Sequence, residues 1–261
     1  MSVSKAKKTT LKAYLQKKNK VALFAFIVIW LLSFVVFINT IVLGDWMKIG
    51  LAFSALVLFL VPDLVSYKLR LHLPATLEIT YYLFIFASLI LGEVFAFYGP
   101  FPFWDIILHL LSGFVIAGIG FSIERIVNKD KKSRIFTLIF AFCFSMTLGV
   151  LWECLEFSFD MTVRTDAQKD AHVRQISTIT LQRDGGNQPV RVNEIEKTDI
   201  HLSSGEVITI DEGYLDIGIM DTMKDILINT AGAVSFCILG AFYLRNNKKD
   251  VIVNNILLTK D

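Results

Sequence analysis

Long apolar runs separated by short polar stretches dominate this sequence. A helix needs about 20 mostly apolar residues to cross a hydrocarbon layer about 30 Å thick, because each residue advances the helix by about 1.5 Å. Runs of this length lie at 21–43, 49–67, 77–98, 103–123, 135–159 and 221–244. Backbone polar groups in lipid must bond within their own segment, so runs of this kind are predicted to be helices. The pattern therefore predicts an all-α bundle with six transmembrane helices.

Composition supports this interpretation and narrows the class of protein. Hydrophobic residues make up 54% of the chain and charged residues 19%, whereas soluble domains are about one quarter charged. The net charge of +2 is too small to indicate a nucleic-acid partner. The first run is too long for the apolar core of a signal peptide, so we expect it to be a retained anchor. The predicted partner is the lipid bilayer.

The basic residues predict the orientation of the chain, because lysine and arginine collect in cytoplasmic loops. The first 20 residues hold seven lysines and no acid, whereas segment 160–220 holds six basic and eleven acidic residues. Other basic residues follow the second, fourth and sixth runs: Lys68, Arg70, Arg125, Lys129, Lys131, Lys132, Arg134, Arg245, Lys248 and Lys249. We therefore predict a multi-pass protein of the cell membrane with both termini in the cytoplasm.

This orientation divides the chain into five parts. They are a basic cytoplasmic segment (1–20), spans one to five (21–159), an extracytoplasmic loop (160–220), span six (221–244) and a cytoplasmic tail (245–261). The loop alternates strand-forming and polar residues at 176–183, 190–195, 200–202 and 207–210, with turn signals at 184–187 and 204–205. A small β-meander is predicted there, acting as a lid or a partner surface.

Ionisable residues inside three of the spans are the candidate functional residues. Each costs about 2.5–3.5 kcal/mol to insert and therefore tends to face the interior of a bundle. They form three trios with neighbouring polar residues: Asp105, His109 and Ser112; Glu153, Glu156 and Asp160; Asp221, Asp225 and Asn229. Spacings of three and four residues put each trio on one helix face. The predicted topology puts all three trios near the outer boundary, where they are expected to converge.

The residue types at this predicted site favour a metal. One imidazole and six carboxylates cannot all be ionised together in a medium of low dielectric constant. A divalent ion would neutralise them, and mixed imidazole and carboxylate ligands suit zinc, manganese or iron(II). The predicted ligands are Asp105, His109, Glu153, Asp221 and Asp225. Glu153 and Glu156 are the predicted catalytic carboxylates, one of which would act as general base.

Several simpler roles remain open for these residues. The carboxylates could share protons or form salt bridges with Lys224 and Arg164. Asp160 and Asp221 lie at the ends of spans and could be solvated, and Asp221 could cap the last helix. Asn229 could serve only as an interhelical hydrogen-bond partner.

Three strings carry a family resemblance. FWDIILHLLSGF, LWECLEFSFD and DTMKDILINTAGA resemble the YjdF-like family of bacterial multi-pass membrane proteins, whose function is not established. The last string is also distantly similar to the VanZ-like family. The resemblance covers about 81–241 apart from the loop, which looks larger than is usual for the group. By motif position it points to Asp105, His109, Glu153, Glu156, Asp221 and Asp225, and it implies no particular reaction.

The leading functional hypothesis is a metal-dependent hydrolase or transferase. Its substrate would be lipid-linked or part of the cell envelope, at the outer leaflet. The alternatives are a transport or binding protein that carries a cation or protons, and a membrane partner protein without catalysis. Few polar residues continue inward below Ser112 and Asn229, which favours chemistry at the surface.

Overall fold

The computed structural model describes residues 19–128, 133–246 and 250–260. Within these ranges, six helical segments are long and apolar enough to cross a membrane. This confirms the predicted all-α fold with six spans. Most of the basic segment 1–20, and the lysines at 129, 131, 132, 248 and 249, lie outside the described residues.

The first two spans show how the sequence begins and ends a helix. Helix α1 (Lys20–Leu43) begins where the Asn19 side chain accepts the N–H of Val21 at 2.9 Å, and it ends at Gly44, whose φ is +74°. Asparagine is a favoured N-cap residue, and glycine is favoured directly after a helix C-terminus. The second span consists of α2 (Trp46–Leu58) and α3 (Val61–Leu69). Pro62 lies in the first turn of α3, where its missing N–H costs no helical hydrogen bond.

The third span changes its helical geometry along its length. Helix α4 (Ala75–Ile85) continues into a π-helix (Phe86–Val94), and the N–H of Phe95 bonds the carbonyl of Ile90 at 3.0 Å. The indole N–H of Trp104 bonds the carbonyl of Ala87 at 3.1 Å. This contact ties the π-helix to the start of the fourth span.

The last three spans are single helices that carry the polar trios. They are α5 (Trp104–Asn128), α6 (Arg134–Val163) and α7 (Ile219–Arg245). The chain divides into two compact units, of which the first comprises Met1–Gly149 with Ile228–Asp261 and the second Val150–Leu227.

The first unit has a core that includes the segment after α7. Helix α8 (Val251–Asn254) and strand β8 (Thr259–Lys260) follow the sixth span. The side chains of this segment in the core are Val253, Ile256, Leu257 and Leu258. The N–H of Leu258 donates to Ser122 Oγ of α5 at 3.0 Å, and β8 pairs with β1 (Leu71–His72). The segment that sequence analysis described only as a tail is therefore part of the packed core.

The second unit contains six short strands. They are β2 (His172–Val173), β3 (Ile176–Thr178), β4 (Val190–Val192), β5 (Thr198–His201), β6 (Val207–Ile210) and β7 (Tyr214–Leu215). They form three separate antiparallel pairs, β2–β7, β3–β4 and β5–β6. The prediction of short strands is confirmed, but the predicted continuous meander is wrong, since β4 and β5 do not pair.

Asp216 joins the two ends of the strand region within the second unit. Its carboxylate accepts the N–H groups of Ala171 at 2.8 Å, Gly218 at 3.2 Å and Met220 at 2.6 Å. Burial by itself would raise the pKa of Asp216, but these backbone donors outweigh it, so the pKa lies below its ordinary value. The last helix begins at Ile219, so Asp221 lies within its first turn, and the alternative that Asp221 is the N-cap of this helix is wrong.

Candidate metal centre

Three helices of the first unit meet at Asn229, whose side chain is 2% exposed. A Cβ atom added at Gly113 of α5 would lie 2.1 Å from the carbonyl oxygen of Asn229. One added at Gly149 of α6 would lie 2.6 Å from Asn229 Nδ2. Glycine at both positions therefore allows α5, α6 and α7 to pack at close range, as small residues do in membrane bundles. We call this contact the Asn229 junction.

Side-chain hydrogen bonds reinforce the Asn229 junction. Ser112 Oγ lies 3.4 Å from Asn229 Oδ1 and also donates to the carbonyl of His109 at 2.9 Å. Ser145 Oγ of α6 donates to the carbonyl of Gly113 at 2.9 Å. Asn229 thus has the interhelical role that its position in the sixth span suggested.

One ionisable residue lies a helical turn away from the junction on each helix. His109 precedes Gly113 by four residues, Asp225 precedes Asn229 by four, and Glu153 follows Gly149 by four. Residues four apart share a helix face. Helix α6 runs antiparallel to α5, as the contacts of Ser145 with Gly113 and of Phe144 with Gly120 require. Each of His109, Glu153 and Asp225 therefore lies on the face of its own helix that carries its junction residue.

Asp105, His109 and Asp225 form a group that could hold a metal ion. Each offers one ligand atom, and the three atoms lie within 4.8 Å of one another. His109 Nε2 is 3.4 Å from Asp105 Oδ1. Ligand atoms on a tetrahedral site with bonds of about 2.0–2.1 Å are roughly 3.3 Å apart. The residue types and this separation both fit a divalent ion.

Asp221 has other partners within the second unit. Its Oδ2 atom accepts the N–H of Lys169 at 3.0 Å, and its Oδ1 atom lies 3.7 Å from Lys224 Nζ. Lys224 Nζ also lies 3.9 Å from Asp225 Oδ1. The salt-bridge alternative for Lys224 is therefore confirmed in the structure.

The two predicted catalytic carboxylates differ in environment. Glu153 is 5% exposed, whereas Glu156 is partly exposed and accepts the indole N–H of Trp152 at 2.8 Å. Over the described part of the chain, the group that could share one ion includes neither of them, nor Asp221. Asp160 accepts the N–H groups of Ala167 at 2.7 Å and Gln168 at 2.9 Å, so its carboxylate holds the start of the loop.

Sequence reasoning missed two residues that organise this region. Gly149 carried no signal beyond its small size, because its importance comes from Asn229 on another helix. Asp216 was not singled out, although an Asp shortly before an apolar run is a recognisable signal of a helix start.

Comparisons with known proteins identify a family that the chain matches, but they assign no activity to it. A family model described as "Predicted membrane protein (DUF2238)" matches residues 21–246. A protein of Thermotoga maritima, described as "Uncharacterized protein", is 35% identical over 81 residues. This alignment covers 29% of the present chain and 40% of the Thermotoga protein. No solved structure matches.

Proposed function

The chain belongs to the DUF2238 family of predicted membrane proteins, and we propose that it is a membrane metalloenzyme. The proposed reaction is a metal-dependent hydrolysis or group transfer on a lipid-linked or cell-envelope substrate. The finer resemblance to the YjdF-like family, and distantly to the VanZ-like family, is part of this proposal.

The observation that carries the proposal is the group formed by Asp105, His109 and Asp225. Three protein ligands are the usual number at a catalytic zinc site, because a fourth position then stays open for water or substrate. Imidazole with carboxylates also suits manganese and iron(II). A divalent ion bound there would polarise a water molecule or a substrate oxygen.

Glu153 is the proposed general base. It lies one turn from Gly149 on the face of α6 that contacts Asn229, and it is buried. A carboxylate in such a place can hold a proton taken from water. Glu156 is the alternative base, since it is more accessible and oriented by the Trp152 indole. The sequence predicts Asp221 as a ligand. We propose instead that its carboxylate lies beside the ion without binding it and balances the positive charge of Lys224.

Charge and packing support an outward-facing surface site over a path through the membrane. The distribution of lysine and arginine supports cytoplasmic termini in the cell membrane, so the site would face outside. Next to it, close contacts at Gly113, Gly149 and Gly232 leave little space between the helices. The alternatives are transport of a cation or protons and a partner role without catalysis. A negative result in the experiment below would favour them.

Metal content of the purified full-length protein tests the proposal. We expect near-stoichiometric zinc, manganese or iron in the wild type, and its loss in His109→Ala and Asp225→Ala, because each removes a ligand. Glu153→Gln should retain the metal, since it removes only the base. Asp45→Asn is the matched control, because Asp45 caps α2 and asparagine caps equally well. A wild type that binds no ion, even when ions are added, would refute the metal site.

A further inference from the structure

Lys224 places a positive charge beside the carboxylates of α7. Its Nζ atom lies 3.7 Å from Asp221 Oδ1 and 3.9 Å from Asp225 Oδ1. The Lys224 side chain is 43% exposed, whereas that of Asp225 is 2% exposed. Asp225, a buried carboxylate of the candidate metal group, therefore has a charged neighbour that is partly exposed to solvent.

Both of these contacts are longer than charge-assisted hydrogen bonds, which measure about 2.7–2.9 Å. Lys224 and Asp225 are also neighbours in sequence, and neighbouring residues on a helix do not face each other. The attraction between the Lys224 ammonium group and the Asp225 carboxylate is therefore Coulombic, and it does not require a single fixed conformation of the lysine side chain. Because lysine carries its charge on a flexible four-carbon stem, the ammonium group can leave Asp225 by rotation of its own side chain.

A divalent ion at the candidate site would compete with this ammonium group. A metal bond to a carboxylate oxygen measures about 2.0–2.2 Å, and Coulomb energy scales with charge over distance. At equal effective dielectric constant, two charges at that distance attract Asp225 roughly 3.5–4 times more strongly than one charge at 3.9 Å. The ion would also repel the ammonium group.

We propose that Lys224 is the resident counter-ion of Asp225, and that a divalent ion bound by Asp105, His109 and Asp225 displaces its ammonium group toward solvent. This inference rests on the proposed metal site. It adds that a side chain of the protein itself, Lys224, competes with the metal ion for Asp225. Metal affinity is then set partly by Lys224, which is not a ligand.

Metal titration of full-length variants tests the competition. Lys224→Met removes the competitor and should tighten Zn²⁺ or Mn²⁺ binding about tenfold or more, whereas Lys224→Arg keeps the charge and should stay within about threefold of the wild type. Lys48→Met is the matched control. Lys48 has the same i, i+3 arrangement with Asp45, at 3.8 Å, and its side chain is also 43% exposed. Its replacement should leave metal affinity unchanged.

A second readout needs no substitution at Lys224. In the wild type, an amine-acylating reagent should modify Lys224 faster after metal is added, with Lys48 as the internal reference in the same digest. An unchanged rate, or unchanged or weaker metal binding in Lys224→Met, would overturn the counter-ion role and leave the metal site standing. A wild type that binds no metal would overturn both.

Discussion

Replacing Gly113 with alanine tests whether the Asn229 junction sets the geometry of the candidate metal centre. The added Cβ would lie 2.1 Å from the carbonyl oxygen of Asn229 and 2.9 Å from its carbonyl carbon. Ordinary contact begins at 3.4 Å, so the helices must separate by about 1.3 Å. Both obstructing atoms belong to the backbone, and no change of side-chain rotamer can relieve them.

The expected losses follow from this separation. Overpacking of a tight contact costs about 1–3 kcal/mol, and we expect the upper part of that range for the free energy of unfolding. His109 and Asp225 lie one turn from the contact, so their separation should increase by a similar distance. Metal sites tolerate changes of about 0.2 Å in ligand distance. Metal affinity should therefore fall at least about tenfold, as it does when the support of a ligand is lost.

The assay is denaturant unfolding of the detergent-solubilised protein, combined with metal titration of the folded variant. Gly50→Ala is the matched control. It also adds a methyl group to a helical glycine, but no described atom beyond its chain neighbours and its own helix backbone lies within 4 Å of its Cβ position. Alanine is favoured over glycine in helices by about 1 kcal/mol, so Gly50→Ala should be neutral or stabilising. Wild-type stability in Gly113→Ala would refute the argument that backbone contact holds α5 against α7.

Two further predictions concern orientation and the segment after α7. In a background without native cysteines, an impermeant thiol reagent should label Asp184→Cys but not Lys131→Cys in intact cells. Asp184 is preferred to Gly185, whose φ of +67° disfavours a side chain; labelling at both sites or only at Lys131→Cys would contradict cytoplasmic termini. Ile256→Ala should lower the free energy of unfolding by about 2–5 kcal/mol, because Ile256 is buried in the core. The exposed neighbour Val251→Ala should cost less than about 0.5 kcal/mol, and equal effects would show that the segment is not packed.

Features set by local chemistry could be predicted from sequence. The six spans follow from run length, and the i, i+4 pair of Asp105 and His109 follows from helical periodicity. The placement of Asp225 near this pair followed from topology and matches the observed group.

Features that depend on other helices could not be predicted. The packing of Ile256 against Gly118 involves residues far apart in sequence, and the apolar residues of 251–258 form too short a pattern to indicate burial. The β2–β7 pair joins the first and last strands of the second unit, whereas turn signals favour pairing between strands that are neighbours along the chain. The hydrogen bond from the Lys169 N–H to Asp221 joins residues 52 positions apart, and such a contact leaves no periodic signal in the sequence.

The burial of the segment after α7 constrains the order of events during biosynthesis. The hydrogen bond between Leu258 and Ser122 joins residues 136 positions apart, and the β1–β8 ladder joins Leu71 to Lys260. Neither contact can form until the ribosome has synthesised all six spans. Until then, Gly118 and Ser122 of α5 lack the partners that cover them in the finished protein. A nascent chain stalled before residue 250 would therefore expose a surface that membrane quality-control proteases or insertion chaperones can recognise.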